Sequence, residues 1–175
     1  GKKVAVGVQF ANNGNKYSGN WRGTTTYVNR NLTGRGDTLG AVFVSTTSLD
    51  KDSNVRQGAV SYRWNLPSSG DTLTFSASYS DSKLTNLSTT PLFDLSATGK
   101  STRAGISYQH YFKHSQRERD VLDFGLNYHQ TDNGLELALP GGGGAKINYD
   151  LHHEDATVAF YHRDRGASHN FGYRF

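Results

Sequence analysis

Thr72-Leu73-Thr74-Phe75-Ser76-Ala77-Ser78-Tyr79-Ser80 decides the fold. Leu73, Phe75, Ala77 and Tyr79 fall on every second position, with hydroxyl side chains between them. That period of two belongs to a strand with one apolar and one polar face. The same alternation recurs outward in both directions. Val4, Val6, Val8 and Phe10 share one face of a strand, and Val60, Tyr62, Trp64 and Leu66 another. Ile106, Tyr108, Leu122, Phe124, Leu126, Ile147, Tyr149 and Leu151 continue it. No helical period competes, so the chain reads as all-β, with residues 1–175 forming a single domain.

Turn chemistry punctuates these strands. Thr33-Gly34-Arg35-Gly36-Asp37, Pro67-Ser68-Ser69-Gly70-Asp71, Ser115 to Arg119 and His153-Glu154-Asp155 read as short turns. Longer polar stretches lie between them: Asn12–Asn20, Leu49–Asn54, Leu84–Ser101 and Thr131–Gly144. Short and long connections alternate, as in up-and-down outer-membrane barrels. The reading gives about ten antiparallel strands, within a range of about 8–12, and puts both termini on the short-turn side.

Composition separates this reading from its rivals. Hydrophobic residues make up 34% of the chain and aromatics 12%, with 20 Gly and only 3 Pro. Disordered chains are poor in aromatics, so low hydrophobicity here does not mean disorder. No apolar run is long enough for a transmembrane helix, whereas a barrel strand presents only alternate residues to lipid. Cysteine is absent, which excludes disulfides, thiolate metal sites and Cys nucleophiles. Methionine is absent too, so Gly1 is not a translation start, and a processed or engineered chain is expected. The net charge of +4 is spread along strands and turns and does not form the basic patch of a nucleic-acid binder.

The faces then carry the functional expectations. Val60, Tyr62, Leu73, Phe75, Ile106, Tyr108, Phe124 and Leu126 are expected to face lipid. Arg22, Arg63, Arg103, Lys113, Asp123, Asp150, Arg163 and Arg174 are expected to line the lumen, because a midplane charge in lipid costs about 2–4 kcal/mol. Phe171, Tyr173 and Phe175 form an aromatic C-terminal strand, the expected signal to the outer-membrane assembly machinery. The expected surroundings are a lipid bilayer or detergent, in the bacterial outer membrane.

No enzyme, cofactor or metal site is expected. His152 and His153 are adjacent and point to opposite faces; His129 and His152 can share the lumen but lack paired ligand spacing. Ser168-His169-Asn170 holds hydrolase residue types, but neighbouring strand residues diverge. Arg35-Gly36-Asp37 is read as turn chemistry and not as an adhesion tripeptide. Two other classes share the alternation: a soluble β-barrel that binds a small apolar ligand, and a barrel lipid hydrolase assembled across strands.

Several stretches resemble one family. Asn31-Leu32-Thr33-Gly34-Arg35-Gly36-Asp37-Thr38-Leu39 resembles the turn between the second and third strands of two-partner secretion translocator barrels. Tyr62-Arg63-Trp64-Asn65-Leu66-Pro67, running on through Gly70 and Leu73 to Ser76–Ser80, is similar to the same family. Leu92-Phe93-Asp94-Leu95-Ser96-Ala97-Thr98-Gly99-Lys100-Ser101 resembles the loop before its sixth strand. The likeness covers roughly Lys3 to Asn133. It implies an outer-membrane barrel of the haemolysin/haemagglutinin secretion-activator type, with an exported polypeptide as partner. Family barrels have about sixteen strands, and 175 residues would leave each about 11, no more than one span takes. A shortened form without periplasmic domains, acting as a passive narrow channel or scaffold, is therefore expected. The family's Val-Arg-Gly-Tyr motif is not found; Arg165-Gly166-Ala167 is only its faint echo.

Overall fold

The computed structural model describes residues 3–13, 19–47, 54–85, 87, 94–114, 118–140, 143–164 and 170–174. Within these, the side chains of Thr47, Lys113, His114, Glu118, Arg119, Arg163, Asp164 and residues 170–174 are outside the description. The strands are β1 (Val4–Ala11), β2 (Trp21–Arg30), β3 (Thr38–Thr47), β4 (Asn54–Asn65) and β5 (Thr72–Leu84). They are followed by β6 (Asp94–His114), β7 (Glu118–Ala138), β8 (Gly144–Asp164) and β9 (Asn170–Arg174). All pair antiparallel with their sequence neighbours in one sheet of order β1 to β9. Among the described residues β1 and β9 do not pair, and the sheet stays open.

The nine strands among the described residues fall inside the expected range but are divided differently from the sequence reading. His153-Glu154-Asp155 is no turn: it lies in the middle of β8, opposite His129, Tyr128 and Asn127. Polar composition imitated a turn where the ladder continues. Likewise Asp94–Ser101 and Thr131–Ala138, read as loop, are strand. The odd count also changes the ends. β9 begins at the short-turn end, as β1 does, so its connection from β8 joins the other short turns and β9 runs parallel in direction to β1.

The sheet has almost no interior. Val121 and Ala159 are the buried hydrophobic residues among those described, while Phe10, Phe75, Phe124, Leu126 and many others stay open. A water-soluble monomer rarely leaves so much apolar surface uncovered. The register shows that this surface is ordered in rows, and the rows define the site.

Candidate functional site

Residues directly opposite in an antiparallel ladder share a face. One row runs Trp64–Leu73–Tyr108–Phe124–Val158, and the next Leu39–Tyr62–Phe75–Ile106–Leu126–Ala156. Val60 sits in the row above, opposite Ala77. All eight residues expected to face lipid therefore lie on one face. Further along the strands this apolar face ends at a charged row, Arg56–Asp81–Lys100–Asp132–Asp150.

The opposite face is polar and small. Its rows include Arg63–Thr74–Ser107–Gly125–Thr157, Ser61–Ser76–Gly105–Asn127–Asp155 and Ala59–Ser78–Arg103–His129–His153. A cavity of about 800 Å³ opens on this face, with walls from Thr26 on β2 across to Asp155 on β8. Gly105 is needed at its floor. A Cβ there would come within 2.8 Å of Asn127 Oδ1 and 3.1 Å of Ser76 Oγ. Two carboxylates on this face are held by neighbours. Asp123 accepts from Ser107 Oγ at 2.8 Å and Gln109 Nε2 at 3.1 Å, and Asp155 accepts from Asn127 Nδ2 at 2.8 Å.

Of the residues expected in the lumen, Arg22, Arg63, Arg103 and Asp123 lie on this polar face. Asp150 does not. It stands opposite Asp132 in the charged row that rims the apolar face. The cause is a reversal along β8. In its first half the apolar residues Ile147, Tyr149 and Leu151 take the polar-face positions, whereas in its second half Ala156, Val158 and Phe160 take the apolar-face positions. Lys113 stands opposite Asp120 beyond a bulge at Phe112; the side chains of Lys113, Arg163 and Arg174 lie outside those described. So do those of Phe171 and Tyr173, and Phe175 entirely. His152 is opposite Gln130 on the apolar side, and His153, not His152, faces His129. Among the described residues no three metal-ligating side chains cluster. Ser168 and His169 are outside the described residues.

The short-turn end holds a feature that the sequence reading passed over. Gly36-Asp37-Thr38-Leu39 and Gly70-Asp71-Thr72-Leu73 repeat one tetrapeptide at the start of β3 and β5. Both glycines take φ of 75°, a left-handed turn open to Gly at little cost. Each turn buries its aspartate, at 0% exposure for Asp37 and 2% for Asp71. Tyr62 Oη donates to Asp37 at 2.9 Å, and Tyr108 Oη donates to Asp71 at 2.6 Å. Thr33 N–H and Tyr111 N–H add backbone donors to the two carboxylates. Asn65 ties the turns together, donating to Gly36 O and accepting from Thr72 Oγ1. A third aspartate, Asp120 at the start of β7, is held by His162 Nδ1 from β8.

These contacts set the ionisation of the turns. Burial works against the Asp37 carboxylate, but donors from Thr33 and Tyr62 outweigh it and hold its pKa below the usual range. For Asp71 the Tyr108 hydroxyl is the largest influence, opposed by burial and reinforced by Ser69, His110 and Tyr111; its carboxyl is held well below the usual range. Burial of Asp37 also removes Arg35-Gly36-Asp37 from any role in adhesion, since the carboxylate cannot reach a partner.

The family model for haemolysin secretion/activation protein ShlB/FhaC/HecB matches residues 1–139. No curated protein and no solved structure matches the chain.

Proposed function

Because the chain belongs to the haemolysin secretion/activation protein family ShlB/FhaC/HecB, outer-membrane β-barrel translocators of two-partner secretion, we propose that it acts as a passive, narrow pore or scaffold of that kind. Its family is one of protein translocators and not of enzymes. The observation that carries the reading is the pair of faces: an apolar face, interrupted on β8 by His152 and Glu154, with almost no buried core behind it among the described residues, and a small, polar face bearing the cavity. On this reading the apolar rows contact lipid. From Arg56 in the charged row to Trp64 in the first aromatic row, β4 covers the length that one tilted span requires, about 9–11 residues.

The polar face lines the bore. Arg22, Arg63 and Arg103 point into it against Asp123 and Asp155, and the backbone register gives Arg163 and Arg174 polar-face positions, whereas the bulge at Phe112 moves Lys113 opposite Asp120, at an apolar-face position. Asp150 is left out of the lining and assigned to the outer rim. Asp123 and Asp155 are already engaged by hydrogen bonds, whereas among the described residues no ion pair holds the three arginines. A bore of about nine or ten strands is narrow, because about eight already leave an interior that side chains fill. Phe171, Tyr173 and Phe175 serve as the aromatic signal that the outer-membrane assembly machinery reads.

Planar-bilayer recording under a salt gradient tests this proposal. The expected result is a small conductance whose reversal potential favours anions, reduced in preference by Arg103→Gln. A cation-selective current, or one as large as a wide porin's, contradicts it.

A further inference from the structure

The cavity on the polar face changes character from one side to the other. One of its rows runs Thr26–Val42–Ala59–Ser78–Arg103–His129, and the next Val28–Gly40–Ser61–Ser76–Gly105–Asn127. On β2 to β4 the lining is mainly apolar or small, with Val28, Val42, Ala59 and Gly40 against Thr26 and Ser61. On β5 to β8 it is polar, with Ser76, Ser78, Arg103, Asn127, His129 and Asp155. Three strand spacings, about 14 Å along the sheet, separate Val42 from Arg103. A concave space of about 800 Å³ with an apolar wall and a few polar groups at one end has the size and make-up of a small-molecule pocket.

The charges at the polar end are not equally engaged. Asp155 accepts from Asn127 Nδ2 at 2.8 Å and from Thr157 Oγ1 at 3.4 Å. His129 Nε2 lies 2.8 Å from Thr131 Oγ1 and 3.2 Å from Ser101 Oγ. Arg103, between Ser78 and His129 in the register, has no hydrogen-bond or ion-pair partner for its guanidinium among the described residues. A guanidinium is a planar fork of N–H donors that holds a carboxylate through two parallel bonds. A cation entering here meets a carboxylate already supplied with donors. A small inorganic anion would use Arg103 but leave the Val28, Val42 and Ala59 wall bare. A ligand that is anionic at one end and apolar along its body satisfies both ends of the cavity.

We infer that this cavity is a binding site for an amphipathic monoanion, a carboxylate with an apolar body. The carboxylate sits on Arg103, and the body lies over Ala59 and Val42 toward Val28. The inference rests on the reading of the polar face as the lining of a bore, and it adds the class of small molecule that the bore holds.

The absence of cysteine lets a single introduced thiol report on the cavity. Ala59→Cys, and Gln9→Cys on the polar face outside the cavity, are made in the full chain and folded in neutral lipid nanodiscs. The rate of modification by a small uncharged methanethiosulfonate is then measured. Saturating phenylhexanoate should slow modification of Ala59→Cys by roughly fivefold or more and leave Gln9→Cys unchanged. Phenylhexylamine and phenylhexanol, which have the body without the anionic end, should protect weakly at the same concentration. So should acetate, which lacks the body. Arg103→Gln should raise the phenylhexanoate concentration needed for protection by roughly tenfold or more, with Arg103→Lys in between. Equal protection by acid, amine and alcohol, equal protection of Gln9→Cys, or no protection overturns the inference. Heat-modifiable gel mobility of the same samples judges the membrane reading separately: a folded, inserted chain without protection sinks only the ligand site.

Discussion

The hydroxyl of Tyr108 on β6 donates to Asp71 Oδ2 at 2.6 Å, binding the turn before β5 to the strand after it. The carboxylate is buried, and it also meets Tyr111 N–H and His110 Nδ1, at 3.2 and 3.0 Å. Tyr62 and Asp37 repeat the arrangement one hairpin earlier, and His162 and Asp120 resemble it one hairpin later. The short-turn end is thus fastened by acidic side chains clasped from the next strand pair.

Tyr108→Phe should lower the thermal midpoint more at neutral pH than at low pH. The Asp71 pKa is depressed on folding, so its contribution is present above the unfolded value of 3.8 and is lost as pH falls through the folded value. Melting curves of parent and variant should therefore converge on acidification below about pH 4. A gap that is constant with pH would show that the hydroxyl acts through packing alone.

Arginine at Phe75 or Leu126 should block folding into lipid, at about 2–4 kcal/mol each near the midplane, whereas Ser76→Leu should fold. Folding yield into vesicles measures both. Tolerance of arginine at both positions, with failure of the leucine variant, would mean that the faces are inverted.

Asp132→Cys and Glu136→Cys should react with a membrane-impermeant maleimide in intact vesicles or cells that display the long-connection side. Phe124→Cys should be protected. Protection of all three would place the long strands of β6 to β8 inside the bilayer and contradict the charged row as the boundary of the span.

Alternation makes β1, β4, β5 and the Ala104–Phe112 and Leu122–Tyr128 parts of β6 and β7 legible in the sequence, because lipid or water on each side constrains every second residue there; β2 and β3, with apolar residues on both faces, show it less cleanly. The same logic misled beyond the charged row. Thr131–Ala138 and Asp94–Ser101 are polar on one side and mildly apolar on the other, which in composition looks like loop. Only the ladder pairing Leu135 with Ala97 and Ile147 identifies them as strand. Parity from Ile147 places Asp150 with the lumen charges, yet the reversal within β8 carries it to the rim. The aspartate clasps were missed although the repeated Gly-Asp-Thr-Leu announced them. A buried acid needs donors from elsewhere in the chain, and alternation alone assigns Tyr62 and Tyr108 wholly to the lipid-facing rows.

Electrophoretic mobility in SDS, boiled and unboiled, tests the central claim most directly. A chain folded as a membrane β-barrel keeps its ladder in detergent until heated, so the two samples should migrate at different positions. Equal mobility, together with a chain that is folded and monomeric in buffer without detergent, would contradict the account.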